Sequence, residues 1–186
     1  MFARLSAPVL AAVLASALLA GCFGGARSFG DSVDDTFIAT GVGQSMLGDR
    51  RFDYGDVDVT VYEARVLLTG TMRTEEGRRE AAKLAWKRGG VAEVINQIEI
   101  GERTSVGQGA RDAAIDVALD TSLMTDGGVA GKNMKIAVSG GVVHLIGVVR
   151  DENELERTVY RARTIRGVKK VVSHLQFMDD PSRKLR

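Results

Sequence analysis

The chain has 186 residues, and its 25 basic and 24 acidic side chains leave a formal net charge of +1. This balance excludes a strong general attraction to nucleic acid, and a single cysteine excludes an internal disulfide framework. About 155 residues follow the N-terminal segment, a length that fits one ordinary domain or two small ones.

The first residues are typical of an export signal. Arg4 is the only charged residue among the first twenty, and Leu5 to Ala20 is almost entirely leucine, alanine and valine. A basic start followed by an apolar stretch that ends in small residues is the pattern of a secretory signal. The stretch is shorter than the roughly 20 residues that a membrane-spanning helix needs. We interpret residues 1–21 as a signal peptide, with a membrane anchor helix or an ordinary cleaved signal as the alternatives.

The only cysteine directly follows this segment, in the sequence "LAGC" that ends at Cys22. This sequence resembles the signal motif of bacterial lipoproteins, in which the cysteine becomes the acylated first residue of the mature chain. Stable anchoring takes more than one acyl chain, and the resemblance implies several chains on Cys22. It also implies the outer membrane, with the folded part facing the periplasm, because Phe23 stands where an aspartate would mark inner-membrane retention. The glycine-rich residues 22–33 are predicted to form a flexible tether.

The rest of the chain repeats itself. A shift of 77 residues aligns residues 34–100 with residues 111–177 without a gap. Identical pairs fall mostly at apolar, glycine and capping positions, so the repeat is structural. They include Asp35/Asp112, Asp49/Asp126, Val66/Val143, Leu68/Leu145, Gly70/Gly147 and Gly90/Gly167. Residues 101–110 are predicted to be a polar linker between the two copies, and residues 178–186 a C-terminal tail.

Each copy begins with a predicted helix. In the second copy a helix over residues 112–124 has one face of apolar and small side chains, with the spacing i, i+3, i+4, i+7. That face consists of Ile115, Ala118, Leu119 and Ser122. The same face in the first copy consists of Ile38, Gly41, Val42 and Ser45.

Two strands, a helix and a last strand follow. Alternating apolar residues on both sides of "EA" (63–64) and "GG" (140–141) predict a β-hairpin. Thr74 and Asp151 are predicted to cap the start of the second helix. Gly90 and Gly167 are predicted to end it as C′ residues. The final strands, residues 91–100 and 168–177, complete an αββαβ unit whose strand–helix–strand crossover is right-handed.

Two αββαβ units behind a lipoprotein signal resemble the dual BON-domain lipoproteins of the bacterial envelope. The resemblance rests on "VxLxG" ending at Gly70 and Gly147, on a helix started by Thr or Asp, and on "GVxxV" beginning at Gly90 and Gly167. It implies an α+β fold of two tandem modules, each a small three-stranded mixed sheet covered by two helices. It also implies a phospholipid-binding protein that maintains the envelope and has no enzymatic activity.

Little in the sequence indicates catalysis. His144 and His174 are predicted to be surface or sheet-edge residues, with His144 on the exposed register of its strand. Two histidines on separate strands with no cysteine nearby do not supply a metal site. The glycine-rich stretches match neither P-loop nor dinucleotide-binding spacing. We therefore expect no cofactor, no small-molecule substrate and no nucleic acid.

The candidate binding surface lies in the second copy. Residues 111–177 have 10 basic and 8 acidic side chains, whereas residues 34–100 have 9 basic and 12 acidic ones. Such a basic module near a membrane is attracted to anionic headgroups by about 1 kcal/mol per well-placed charge. The predicted lipid-binding residues are Ala114, Val117, Thr121 and Met124 on the first helix, and Arg157, Arg161 and Arg163 on the second. The alternative is a solvated helix face whose arginines are balanced by Glu152, Glu154 and Glu156.

This sequence departs from the family at one position of the candidate binding surface, and two functions remain open. In the family, lipid contact is associated with the first helix of the second module, where a large aromatic residue occupies the place of Ala114. One function is binding of anionic phospholipid by the second module, which helps to maintain outer-membrane integrity. The other is a periplasmic scaffold for envelope protein partners, in which the anchor supplies location alone.

The single tryptophan, Trp86, is predicted to lie either over the edge of its core or against the other module or a partner.

Overall fold

The computed structural model describes residues 29–181 and residue 183, with the backbone alone for residues 29–33. The predicted signal peptide, Cys22 and most of the predicted tether lie outside the described residues. The first module contains α1 (Phe29–Gly48), β1 (Val57–Tyr62), β2 (Arg65–Met72), α2 (Glu75–Trp86), β3 (Glu93–Asn96) and β4 (Glu99–Ile100). The second contains α3 (Val106–Thr125), β5 (Met134–Ser139), β6 (Val142–Val149), α4 (Glu152–Thr164) and β7 (Lys170–Phe177).

Both first helices start earlier than the sequence predicts. Helix α1 begins at Phe29, inside the predicted tether, and α3 begins at Val106, inside the predicted linker. The start of α3 is fixed by Ser105, whose hydroxyl accepts a hydrogen bond from the Gln108 amide at 3.2 Å. The non-helical connection between the modules is therefore shorter than predicted. Its Thr104 bonds back to the Asp56 carboxylate of the first module through both its amide, at 3.1 Å, and its hydroxyl, at 2.8 Å.

The predicted αββαβ order is confirmed in both modules. Strands β1 and β2 pair antiparallel, and β2 and β3 pair parallel. The second module repeats this with β5, β6 and β7. The two last strands differ, because β7 pairs with β6 over its whole length whereas its counterpart is interrupted between β3 and β4. At the interruption the Asn96 side chain accepts a hydrogen bond from the Ile98 amide at 3.2 Å and donates one to the Arg78 carbonyl at 2.9 Å.

A buried aspartate of the first helix holds each hairpin turn. The Asp35 carboxylate accepts hydrogen bonds from the Glu63 and Ala64 amides at 3.0 and 2.8 Å. The Asp112 carboxylate does the same for the two turn glycines, at 2.9 and 2.8 Å. All four turn residues have positive φ, which the non-glycine pair of the first module adopts at a steric cost. This contact explains why an aspartate stands on the core-facing side of both helices.

Close packing requires a glycine in the second strand of each hairpin. Gly70 has a φ of 106° and Gly147 a φ of 151°. A Cβ atom at Gly70 would overlap the Asp56 carbonyl oxygen, and one at Gly147 would overlap the Asn133 carbonyl oxygen and the Met134 backbone. Only glycine fits where the two hairpin strands approach this closely.

The predicted caps of the second helix are right at its start and wrong at its end. The Thr74 hydroxyl accepts a hydrogen bond from the Gly77 amide at 3.1 Å, and the Asp151 carboxylate accepts one from the Glu154 amide at 2.9 Å. Helices α2 and α4, however, end before Gly90 and Gly167 by several residues. These glycines have positive φ in the turns that lead into β3 and β7.

Each module has its own core between its two helices and one face of its sheet. The first core is centred on Ile38, Val42, Val61, Val66, Leu68 and Ala85. The second is centred on Ile115, Leu119, Leu123, Val143, Leu145 and Ala162. Within the part of the chain that the structure describes, no helix is both long and apolar enough to cross a membrane.

The other faces of the two sheets pack against each other. Tyr62 and Leu67 of the first module form a third buried cluster with Ala137, Ile146 and Val148 of the second. The Arg65 guanidinium donates a hydrogen bond to the His174 carbonyl oxygen at 2.9 Å across this contact. The modules therefore dock through their sheets.

Candidate functional site

Helix α3 has a buried stripe and an exposed stripe. Ile115, Leu119 and Leu123 of the buried stripe are at most 4% exposed. The predicted lipid-binding residues of this helix, Ala114, Val117, Thr121 and Met124, are all exposed. Val117 and Met124 keep 66% and 61% of their surface in solvent. The predicted core face is therefore right for Ile115 and Leu119 and wrong for Ala118, which is exposed, while the second stripe is left outside the core.

Thr121 is the one polar side chain among the four residues of the exposed stripe. The Thr121 hydroxyl donates a hydrogen bond to the Val117 carbonyl oxygen at 2.8 Å, so its polar atom is satisfied within the helix. From Ala114 to Met124 the stripe extends about 15 Å along the helix axis.

Two of the three predicted arginines are tied to a buried carboxylate. The Nε atoms of Arg157 and Arg161 both lie 2.6 Å from carboxylate oxygens of Asp126, whose side chain has no exposed surface. The Gly128 amide donates a further hydrogen bond to Asp126 at 2.9 Å. This backbone hydrogen bond and then the two arginines lower the pKa of Asp126 to about 2, against the opposing effect of burial.

This arrangement corrects both interpretations of the arginine cluster. Arg157 and Arg161 fasten α4 to the end of α3, and their partner is Asp126 rather than a glutamate of their own helix. Glu154, predicted as a solvated counter-charge, is buried and paired with Arg150 at 2.7 Å. Both Asp126-bound arginines are still about half exposed. Arg163 is exposed and has no ion-pair partner among the described residues.

One end of the apolar stripe and the arginines lie beside the same loop, which follows α3. A Cβ atom on Gly131 would lie 3.1 Å from the Met124 sulfur, and one on Gly128 would lie 2.8 Å from the Arg157 Nε atom. Met124 and Arg157 thus both flank the loop that follows α3. Ala114, at the other end of the stripe, is not part of this junction.

Carboxylates border the other side of α3. Asp116 and Asp120 face a groove of about 450 Å³ whose opposite wall is Thr36, Ala39 and Thr40 of α1. Burial and the neighbouring Asp120 raise the pKa of Asp116. Asp120 is also exposed and lies one helical turn from both Val117 and Met124, so one carboxylate stands beside the exposed stripe.

The first module has an equivalent exposed pair that the sequence analysis missed. Phe37 and Leu47 of α1 are 65% and 85% exposed. The 77-residue shift places Phe37 on Ala114 and Leu47 on Met124, so the repeat could have identified them. The positions between them, Thr40 and Gln44, are polar where the second module has Val117 and Thr121.

The repeat also contained a signal for the role of Arg157. Asp49 is the counterpart of Asp126 and is bound by Arg51 at 2.9 Å. Glu80 is the counterpart of Arg157 and is bound by the same Arg51 at 2.7 Å. These hydrogen bonds lower the pKa of both carboxylates, with Arg51 as the main cause. In the first module Arg51 bridges the two carboxylates. In the second module Arg157 binds Asp126 directly.

The predicted surface or sheet-edge position is wrong for His144, whereas His174 does lie on the edge strand β7. His144 is only 4% exposed and His174 is half-buried, because the first module covers the sheet face on which both lie. Their rings are parallel, with centroids 6.1 Å apart. Within residues 29–181 and 183, no three side chains of His, Cys, Asp or Glu are grouped to hold a metal ion.

Trp86 stands at the end of α2 and is 54% exposed, so about half of its surface is in solvent. Tyr160 on α4 is 65% exposed. It lines a shallow depression along α4 together with Arg150, Arg157 and Arg163. Both aromatic residues are therefore available at the surface.

Comparison with known proteins agrees with this architecture. The sequence profile described as "BON domain" matches residues 34–102 and 111–179. The chain belongs to the BON-domain family. Each match covers one αββαβ module of the structure.

Three relatives share both modules. The chain is 30% identical to a "21 kDa hemolysin" of Actinobacillus pleuropneumoniae, over 82% of this chain and 78% of the relative. It is 27% identical to "Outer membrane lipoprotein DolP" of Haemophilus influenzae, over 82% and 79%. It is 26% identical to "Osmotically-inducible protein Y" of Escherichia coli, over 79% and 74%.

Proposed function

We propose that this chain is a non-enzymatic envelope lipoprotein, anchored in the outer membrane through Cys22 and facing the periplasm. Its second module binds anionic phospholipid through the exposed stripe of α3 and the arginines at its end, and so helps to maintain the membrane. The observation that carries the proposal is that Met124 and the arginine pair lie beside the same loop after α3, which brings apolar and basic side chains to one end of the second module. The similarity to an outer membrane lipoprotein supports the location.

The chemistry of the surface suits a shallow contact with the headgroup region. Val117 and Met124 bring apolar area, and full burial of such side chains is worth about 1.5 to 3 kcal/mol each. Arg163 and the exposed halves of Arg157 and Arg161 add attraction to anionic headgroups. The arginines are only partly free, so we expect a weak contact that depends on salt.

Co-sedimentation with vesicles tests the lipid contact. Residues 23–186 are mixed with vesicles of phosphatidylcholine alone or with one third phosphatidylglycerol. We expect binding only to the anionic vesicles, and a loss of tenfold or more in Met124→Glu, since about 1.4 kcal/mol suffices for that factor. The matched control is Leu47→Glu, which places the same charge at the equivalent exposed position of α1.

The outcomes separate the candidate surfaces. Unchanged binding in Met124→Glu with an intact circular dichroism spectrum would refute the α3 site. A loss confined to Leu47→Glu would assign lipid contact to the first module. For the basic residues we use Arg163→Glu, because Arg161→Glu would place a second carboxylate against Asp126 and disturb the fold.

The anchor is tested separately. Cys22→Ser in the full-length chain should release the protein from outer membranes washed at high salt. A variant that still sediments with the membrane would show that Cys22 is not the anchor. This outcome does not bear on the α3 surface, because the vesicle assay uses residues 23–186, which lack Cys22.

The scaffold function is the second candidate. It is favoured by Trp86 and Tyr160, which are exposed aromatic side chains of the kind that dominate protein interfaces. The scaffold function predicts that the chain does not bind vesicles of either composition. Crosslinking in cells should then capture the same envelope protein reproducibly, and Trp86→Ala should abolish that capture.

A further inference from the structure

The only two histidines of the chain lie together where the sheets of the two modules dock. His144 is on β6 and His174 on the neighbouring β7, and both point to the face that carries Ile146 of the shared cluster. Their rings are parallel within 1°, with centroids 6.1 Å apart. The docking contact therefore includes a stacked pair of titratable rings.

The surroundings of the pair are poor in groups that could stabilise a proton on either ring. Lys170 of β7 acts on His144, and Arg65 of β2 and Glu93 of β3 act on His174. Glu93, the one carboxylate of this set, is already paired with Arg65 at 2.6 Å. The His144 Nδ1 and His174 Nε2 atoms are buried and have no hydrogen-bond partner among the described residues.

We propose that this histidine pair makes the docking of the two modules sensitive to pH. The modules stay docked while both rings are neutral and separate as the medium becomes acidic. A proton on one ring would create a buried cation beside the other ring, with Arg65 or Lys170 close by. Separation returns both rings to water, where each can carry its proton without this penalty.

The direction follows from the pKa of each ring. Burial, then His174 and Lys170, lower the pKa of His144 to about 4. Burial and Arg65 lower the pKa of His174, while Glu93 acts in the opposite sense. In separated modules an exposed histidine has a pKa of about 6.5. Docking is therefore fully favoured above that pH and weakens as the pH falls toward 4, by at most about tenfold per pH unit for each ring.

Single-molecule energy transfer tests the proposal on residues 23–186. This chain has no cysteine, so Lys87→Cys and Glu156→Cys place one dye on an exposed site of each module. We expect the ratio of separated to docked molecules to rise by tenfold or more from pH 7.5 to pH 5. Far-UV circular dichroism should stay constant over this range. Arg183→Ala, which removes an ion pair between the modules, provides a second chain with a larger separated population.

His144→Gln with His174→Gln is the control that keeps polarity and removes the titration. Its modules should show the same ratio at both pH values. The proposal is overturned if the ratio stays constant in both native-histidine chains, or if the pH response persists in the double variant. Loss of circular dichroism together with separation would also overturn it, because the acid effect would then be unfolding.

Nuclear magnetic resonance of the native chain decides the matter if the double variant does not fold. The two ring signals belong to His144 and His174 alone. Titration of both near pH 6.5 while the dyes report docked modules would contradict the proposal. Titration that coincides with separation would support it.

Discussion

The Arg183 guanidinium lies 2.8 Å from the Glu63 carboxylate, and both side chains are at most 10% exposed. The same arginine also donates to the Met178 carbonyl oxygen. Residues of the predicted C-terminal tail therefore return to the hairpin turn of the first module. The tail acts as a strap that joins the end of one module to the other.

Arg183→Ala should weaken docking of the modules. It leaves the Glu63 carboxylate buried without its cation, and breaking one side of a buried pair costs about 3 kcal/mol. We expect a lower melting temperature and a larger radius of gyration by solution scattering. Arg166→Ala, at an exposed position of the same charge, is the control. Equal behaviour of the two variants would mean that the strap does not hold the modules.

Asp112→Ala should destabilise the second module. It leaves the amides of both turn glycines without their acceptor, and each unsatisfied buried donor costs about 1 to 3 kcal/mol. The equivalent Asp35→Ala should cost the first module a similar amount. Urea unfolding of each variant measures this, and a midpoint shift smaller than that of an exposed Asp179→Ala would contradict the role in the turn.

Gly147→Ala should prevent the second hairpin from closing. The added methyl group would overlap the Asn133 carbonyl oxygen, and the positive φ adds strain of about 1 kcal/mol or more. We expect loss of cooperative melting in the second module. Gly43→Ala is the matched control, because its Cβ meets no atom within 4 Å and alanine favours the helix by about 1 kcal/mol.

Stability in acid should depend on Asp126. Its pKa is lowered from 3.8 to about 2 in the folded chain, so the unfolded chain takes up the proton first as the pH falls. The stabilisation is complete above pH 4 and is lost between pH 4 and 2. Asp126→Asn should therefore have a lower melting temperature at pH 7 and a flatter acid dependence. The control Glu156→Gln, at an exposed position, should have the same dependence of melting temperature on pH as the native chain. If Asp126→Asn also keeps that dependence, the ion pairs of Asp126 with Arg157 and Arg161 do not stabilise the fold.

Local features of the fold could be predicted because they depend on neighbouring residues. Period-2 alternation defines the hairpins, and Thr74 and Asp151 cap the helices with contacts only three residues away. Gly90 and Gly167 were placed wrongly because a positive φ suits a helix end and a strand entry equally well. A glycine in the sequence indicates that the backbone can adopt a positive φ, but it does not show which element contains that residue.

Long-range contacts explain the errors in the candidate site. Alternation assigned His144 to the face opposite Val143 and Leu145, which is right, but it could not show that another module covers that face. The arginines of α4 were interpreted as one basic cluster because their partner is distant in sequence. Asp126 lies 31 residues before Arg157 and 35 before Arg161. The exposed stripe of α3 was predictable, because one helix needs only one apolar face for its core.

The sheet-to-sheet contact has a consequence for avidity. Six residues lie between Cys22 and the start of α1 at Phe29, and the seven residue-to-residue steps reach about 25 Å at most. With the modules docked, an anchor at Cys22 would keep the α3 stripe within a short, fixed radius of the bilayer. The local lipid concentration would then be so high that millimolar affinity suffices for continuous contact. Separation of the modules would increase the distance that the α3 stripe can reach from the bilayer. The stripe would then leave the lipid without any change in its own residues.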